Sequence, residues 1–367
     1  MIKYAVFHPW RMVIIVVSGV ILGTAVFYAY TLNTALGAVA TEDFDPDRAR
    51  IQIEASPIPS TTSPGIDFEI EEPEFTMEDE LAAIESTRGQ QVGPREIHPT
   101  VFGEPIPDEE FESYLLVGSD ASGFLADTII LALQPGEGGS PIMVSLPRDL
   151  FVWNLCKQRF TRLNTGLGGC PGSASGSELL AIMVEDYTGI PVDHLARINF
   201  DGFARMVDAM GGITVCVDAP SRDAKSHLEI EEPGCRRVGG ETALAWVRSR
   251  HMEQLVGGEW VAVGGSDFGR QIRQQDVLFQ LAGRAASFSS PGSLVDRLSA
   301  AASYVRLDSS WSFGQAVSTG WKYRGVSKSS VKRFSIDVRN HRSPQGAAVL
   351  LPTVTFTEQL SEVYPLD

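Results

Sequence analysis

Four arginines crowd two short stretches of this chain, Arg248-Ser-Arg250 and Asp267-Phe-Gly-Arg270-Gln-Ile-Arg273-Gln274-Gln275. They stand in a sequence with 30 Lys+Arg against 46 Asp+Glu. If the second stretch is helical, Arg270, Arg273 and Gln274 share one face, because three- and four-residue spacings bring side chains together. Clustered guanidinium groups repel one another unless an anion sits among them. Their forked, charge-assisted hydrogen bonds suit phosphate oxygens, each worth roughly 1.5–3 kcal/mol. The residues therefore point to a phosphate or pyrophosphate pocket, and the plain alternative is a solvated helix face.

Carboxylates are placed to join them. Tyr114–Gly118, Thr128–Leu133 and Ile142–Leu146 are short apolar runs that read as strands. Asp120 follows the first, Asp127 precedes the second, and Arg148-Asp149 follows the third. Ligands of open α/β sheets gather beyond strand ends. Carboxylates beside arginines there fit a hard cation, Mg²⁺ or Mn²⁺, shared with a substrate phosphate. The competing reading is that Asp120 and Asp149 only cap turns. Other chemistries fail on inspection: there is no Walker-type loop, no H-E-x-x-H, and Gly172-Ser-Ala-Ser-Gly176 has alanine where a nucleophile elbow needs serine.

The elements that must position these groups alternate. Helices are expected from Ser177 to Tyr187, from Asp201 to Met210, over Gly240–Arg248 and over Gly269–Phe288, with two more near Leu294–Tyr304 and Phe313–Tyr323. Strands are expected at Leu195–Phe200, Ile213–Val217 and Val331–Val338, and Gly257–Gly265 reads as a flexible insert. The second and third strands are close enough to form a hairpin. The expected fold is a three-layer α/β/α sandwich with a mixed central sheet.

Residues 41–110 hold 19 of the acidic and 4 of the basic residues, so nearly all of the formal net charge of −16 falls there. With its Pro, Ser and Thr, this stretch reads as a charge-extended tether. No basic stripe exists to take nucleic acid. Met12–Tyr30 is uncharged and apolar, long enough to cross a bilayer core of roughly 30 Å. Lys3 and Arg11 precede it, which sets the N-terminus in the cytoplasm and the rest outside. A cleaved signal peptide ending at Ala38-Val39-Ala40 is the alternative. Both readings export the body. The domains are then a cytoplasmic stub (1–11), one transmembrane helix (12–30), an acidic linker (31–110) and a catalytic domain (111–367). Cys156, Cys170, Cys216 and Cys235 all lie in the exported part and read as two disulfides. Nearest-neighbour pairing is one of three connectivities.

The ordered set of motifs resembles the LytR-CpsA-Psr family of cell-wall glycopolymer transferases. It comprises Leu115-Leu-Val-Gly-Ser-Asp120, Ala126-Asp-Thr-Ile-Ile-Leu131, Val144-Ser-Leu-Pro-Arg-Asp149, Arg162-Leu-Asn164, Phe200-Asp-Gly-Phe203, Val207-Asp-Ala-Met-Gly-Gly-Ile213, Gly240–Arg250 and Asp267–Gln275. The resemblance implies a membrane-bound enzyme that takes a polyprenyl-pyrophosphate-linked glycan, with the lipid tail in an apolar channel. With Mg²⁺, such an enzyme moves the glycan phosphate onto a peptidoglycan sugar hydroxyl. It implies Asp120 and Asp127 as metal holders, Asp120, Asp127 and Arg270 as catalytic groups, and Arg148, Arg248, Arg250, Arg270 and Gln274 as pyrophosphate holders. Asp149, Asn164, Asp267 and Arg273 are implied as supporting residues. The chain departs from the pattern at Leu125, where the family usually carries an arginine; Arg159 or Arg162 are the candidates to replace it. A lipid-pyrophosphate hydrolase and a non-enzymatic lipid-binding module are the rival readings.

Overall fold

A computed structural model describes residues 40–56, 103–120, 122–136, 139–263, 267–287, 303–310, 315, 328–343 and 346–366. The expected membrane helix at 12–30, the helix near 313–323 and most of the one near 294–304 fall outside these residues. No helix among the described residues is long and apolar enough to cross a membrane.

A seven-stranded mixed sheet organises the body. Its strands are β1 (Ala40–Glu42), β2 (Phe111–Ser119), β3 (Ala126–Pro135), β4 (Ile142–Ser145), β7 (His194–Ile198), β14 (Val305–Asp308) and β15 (Lys332–Ser335), in the order β1-β14-β7-β2-β3-β4-β15. Two hairpin pairings, β2–β3 and β3–β4, are antiparallel, while β7 and β15 join in parallel. The strands at the centre are apolar on both faces, as strands covered on both sides must be.

One face carries helices α1 (Pro46–Ala55), α2 (Gly176–Thr188) and α6 (Phe356–Ser361), whose apolar residues share a core with Leu115, Val117, Ile129, Leu131 and Val144. The other carries α3 (Phe200–Ala209), α4 (Gly240–Arg248) and α5 (Asp267–Ala286), with a second core around Val207, Val215, Ala243 and Val277. Two small pairs lie between these elements: β5 (Phe151–Asn154) with β6 (Arg159–Arg162), and β8 (Ile213–Val217) with β11 (Gly234–Val238). Disulfides join Cys156 to Cys170 and Cys216 to Cys235, the nearest-neighbour pairing.

Three expectations need correction. The tether is not structureless throughout. Its first residues form β1, an edge strand, and α1, which buries Ala49 and Ile53 one turn apart. Asp45 caps α1, Pro46 opens it, and Arg50 pairs with Glu185 and Asp186 of α2. Second, the Gly257 insert is an ordered hairpin. Strands β12 (Glu253–Val256) and β13 (Glu259–Ala262) flank Gly257-Gly258, both at positive φ, and β12 continues onto β9 (Ser221–Asp223) and then β10 (Leu228–Ile230). Third, the caps fall two residues earlier than read: Ser175 caps α2 in a full capping box, and Asn199 caps α3.

Candidate active site

The site begins with an irregularity in β3. Gly118 faces Thr128 and the next residue, Ser119, faces Ala126, so Asp127 is the extra residue of a bulge. Bulges re-aim side chains next to sites. Here the Asp127 carboxylate accepts from the Arg148 guanidinium, which comes from the end of β4. Arg148 also lies 3.5 Å from Asp149, and Arg162 lies 3.6 Å from Asp149 on its other side. Asn164 N–H donates to the Arg148 carbonyl at 3.0 Å. Asp149 and Asn164 thus brace the turn that presents Arg148.

Asp120 sits in the tight turn between β2 and β3, closed by its own N–H donating to the Leu125 carbonyl at 2.9 Å. Its carboxylate accepts from the Ser122 hydroxyl at 2.7 Å and from Gly123 N–H at 2.9 Å. The Asp120 carboxylate is thus turned into its own turn and does not line the cavity beneath, whereas Asp127 does. Among the described residues no group of three or more His, Cys, Asp or Glu is arranged to hold a metal. The donor set fits a hard divalent ion that takes carboxylates from the protein and its remaining oxygens from a phosphate and water, the usual habit of Mg²⁺.

Beneath these residues, between the sheet and α3–α5, lies a cavity of about 220 Å³. Leu116, Ile130, Ile198, Phe203, Leu244 and Leu278 make its walls apolar. Asp127, Arg248, Arg270 and Gln274 also line it. An apolar slot with cations in its lining is complementary to an amphiphile with an anionic head. Arg270 is buried, at 4% exposure. Arg248 is held with its guanidinium carbon 4.3 Å from the centre of the Phe200 ring, a cation–π contact that the first residue of α3 supplies.

Helix α5 does two jobs. Arg270 and Gln274 line the cavity, while Arg273 turns to the end of α4. Arg273 donates to the carbonyls of Trp246, at 3.1 Å, and Ser249, and Gln274 donates to Val247 at 3.2 Å. These are carbonyls that a helix end leaves without partners. Burial first, and the neighbouring Arg270 charge second, push the Arg273 guanidinium below its ordinary pKa. Arg273 therefore holds the end of α4 rather than lining the cavity. Asp267 opens α5, and its side chain falls outside the described residues.

Sequence reasoning missed Asp223. Its carboxylate accepts from Ser249 Oγ at 2.7 Å, Arg250 N–H at 2.9 Å and His251 N–H at 2.8 Å, which fixes the Arg248-Ser-Arg250 segment. Burial raises this carboxyl's pKa, but the donors outweigh it and hold the value down to about 2. Arg250 does not line the cavity; its backbone is what Asp223 holds. Neither candidate for the missing arginine lines it either. Arg162 is engaged with Asp149 and the Ala348 carbonyl, Arg159 is exposed on β6, and Leu125 itself is 42% exposed.

A mixed sheet with a bulged strand and an apolar cavity lined by arginines defines a class of fold with known members. This chain belongs to the LytR_cpsA_psr family, whose sequence model matches residues 82–362. It is 33% identical over 191 residues to the probable cell wall biosynthesis protein LcpB of Corynebacterium glutamicum, covering 52% of this chain and 41% of that protein. It is 28% identical over 207 residues to TagU of Bacillus anthracis, named a polyisoprenyl-teichoic acid–peptidoglycan teichoic acid transferase, covering 54% and 60%. The matches thus span less than two thirds of either relative. Among solved structures, a LytR-Csp2A-Psr enzyme from Actinomyces oris superposes with a TM-score of 0.57 at 25% identity, over 74% of this chain and 96% of that one. TagV of B. subtilis, at 22% identity, shares the fold with a TM-score of 0.56, over 70% and 96%.

Proposed function

We propose that this chain transfers a glycan phosphate from a polyprenyl-pyrophosphate-linked donor to a sugar hydroxyl of peptidoglycan, leaving a phosphodiester link. The observation that carries the reading is the apolar cavity whose lining includes Arg248, Arg270 and Asp127. The isoprenoid tail fills the slot, and the pyrophosphate meets the guanidinium groups. The name of the Bacillus relative describes a transfer of the same class.

The acceptor hydroxyl oxygen forms a bond to the glycan-side phosphorus. The bond from that phosphorus to the bridging oxygen breaks, and polyprenyl phosphate leaves with the electron pair. Arg270 and Arg248 stabilise the charge that builds on the phosphoryl oxygens and the leaving group, as preorganised donors do in a dry site. Arg148 exchanges Asp127 for a phosphate oxygen. That exchange releases the Asp127 carboxylate to take the hydroxyl proton. Asp120 and Asp127 are the residues to hold Mg²⁺ or Mn²⁺, which when bound supplies further charge neutralisation to the phosphates.

The reaction belongs at the outer face of the membrane, with Met12–Tyr30 as the anchor. Two disulfides in the body fit an oxidising compartment outside the cytoplasm.

Mass spectrometry of lipid carried through purification of the full chain tests the reading. A bound polyprenyl phosphate or pyrophosphate is expected. A protein that carries none and ignores added polyprenyl pyrophosphate is not this enzyme, and a product set of free glycan phosphate with acceptor present would mark a hydrolase.

A further inference from the structure

A second cavity, of about 410 Å³, opens on the opposite face of the sheet. Side chains alternate along a strand. In β2 and β7, Leu116, Ala196 and Ile198 face the apolar cavity; Arg197 borders both cavities, and alternation along β7 carries its guanidinium to the side of α2. There it pairs with Glu42 of β1 at 3.4 Å, and Ser177 of α2 donates to the same Glu42. Arg306 of β14 is the direct antiparallel partner of Arg197, so both guanidinium groups project from one face. Like charges opposite each other across two strands are destabilising. Glu42 offsets Arg197, whereas Arg306 has no ion pair among the described residues.

Two aromatic rings accompany the cations. Tyr304 lines the cavity just before β14, and Phe124, 67% exposed, stands on the turn that carries Asp120. Tyr304 is half-buried with Arg205 stacked over its ring, and Phe124 is the exposed one. An exposed ring beside arginines and hydroxyls forms a surface for a sugar, whose C–H face stacks on the ring while its polar edge is hydrogen-bonded. Ser119 and Ser122, also in the lining, flank Asp120. The second cavity is thus lined by the Asp120 turn itself, while the first is lined by Gly118 and Asp127, which flank that turn.

We infer that this second cavity is the acceptor subsite and that it binds an anion-bearing saccharide, with Arg306 as its specificity-determining residue. The inference rests on the proposed transfer. In a phosphoryl displacement the attacking and leaving oxygens lie roughly in line. The lipid phosphate leaves towards the first cavity, so the attacking hydroxyl approaches from the far side of the Asp120 turn, where the second cavity lies. A donor glycan phosphate has the same chemistry, and kinetics separate the two sources.

The test uses the full chain in detergent micelles, with Arg306→Glu and Arg306→Ala. The probe is a soluble, uncrosslinked peptidoglycan strand, whose stem peptides carry carboxylates, against a neutral chitin oligosaccharide of equal length. Calorimetry should show strand affinity falling at least tenfold in Arg306→Glu and less in Arg306→Ala, with the neutral sugar binding more weakly to the wild type. In the transfer assay, KM for the strand should rise while KM for the lipid donor stays constant. A raised donor KM with unchanged strand KM would assign the cavity to the donor glycan and overturn the inference. Unchanged strand binding in both variants, or a wild type that does not bind the strand, overturns it as well. If no lipid donor is turned over, the proposed function fails, but the calorimetry still decides the subsite.

Discussion

Asp127 and Arg148 come from the ends of two neighbouring strands and meet as an ion pair at the cavity that Arg270 and Arg248 line. The pair is partly exposed, with side chains at 19% and 26%, so it is accessible to exchange with a substrate anion. Arg148→Ala and Asp127→Asn should each lower transfer by about two orders of magnitude or more. The double variant should fall little further, since the residues act as one unit. Fully additive losses would show that the pair is not coupled in turnover.

Arg270 contributes a buried charge to the cavity rather than a surface one. Arg270→Ala should cut kcat about 10²–10³-fold, as loss of a preorganised donor does elsewhere. Circular dichroism should stay native. Arg270→Lys should recover part of the rate, because charge remains and the fork is lost. Unchanged turnover in Arg270→Ala removes this residue from the site.

Asp223 acts at a distance from the phosphate through the backbone it holds. Asp223→Asn weakens its acceptance from Ser249, Arg250 and His251, and should lower both the melting temperature and the donor affinity. The pH sign follows from its depressed pKa. The stabilisation is present above the ordinary aspartate value of 3.8 and fades as pH falls through about 2. Its size is on the order of 2 kcal/mol. Acid titration of unfolding in wild type and variant reads this difference directly.

His194 has the opposite sign. The Asp308 carboxylate, 3.6 Å from the ring Nδ1, is the main cause that raises its pKa above 6.5, against burial, and the charges of Asp193 and Glu112 add to it. That stabilisation is present below pH 6.5 and is lost as pH rises through the folded-state value. A melting-temperature profile from pH 6 to 9 should slope downwards, and His194→Gln should flatten it.

Metal removal tests the carboxylates. Chelation should stop transfer, and Mg²⁺ or Mn²⁺ should restore it. Asp120→Ala should abolish the metal response while lipid still co-purifies. A variant that keeps its full metal response would assign Asp120 to the turn alone, where it already accepts from Ser122 and Gly123.

Much of this site was legible because strand ends and arginine spacing are local patterns. Asp120, Asp127 and Arg148 follow directly from three apolar runs, and the cavity-lining pair Arg270 and Gln274 follows from four-residue spacing, whereas Arg273, expected on the same face, turns to the end of α4. Asp223 was not legible, since its partners lie 26 to 28 residues away and only the fold brings them together. Arg197 and Arg306 were hidden for the same reason: their opposition is a matter of register. The β1–α1 segment was masked by acidic composition. Yet Asp45-Pro46 is a helix-start signal, and Ala49 and Ile53 have helical spacing. Gly257-Gly258 between alternating residues was likewise a hairpin signal that a glycine count obscured.

Strand β1 carries one more consequence. It runs antiparallel to β2 and β7, so Ala40 enters the sheet level with Arg306, Arg197 and Val117, near the end where Asp120 stands. Nine residues separate Tyr30 from Ala40, and nine residues reach at most about 30 Å. If Met12–Tyr30 is the proposed membrane anchor, the chain is leashed at its reactive end. It would then meet its donors as a swimmer confined to a plane, and turnover would follow the number of lipid carriers per unit area of membrane rather than their number per unit volume. Inserting a long Gly/Ser segment before Ala40 should slow the enzyme without touching any residue of the site.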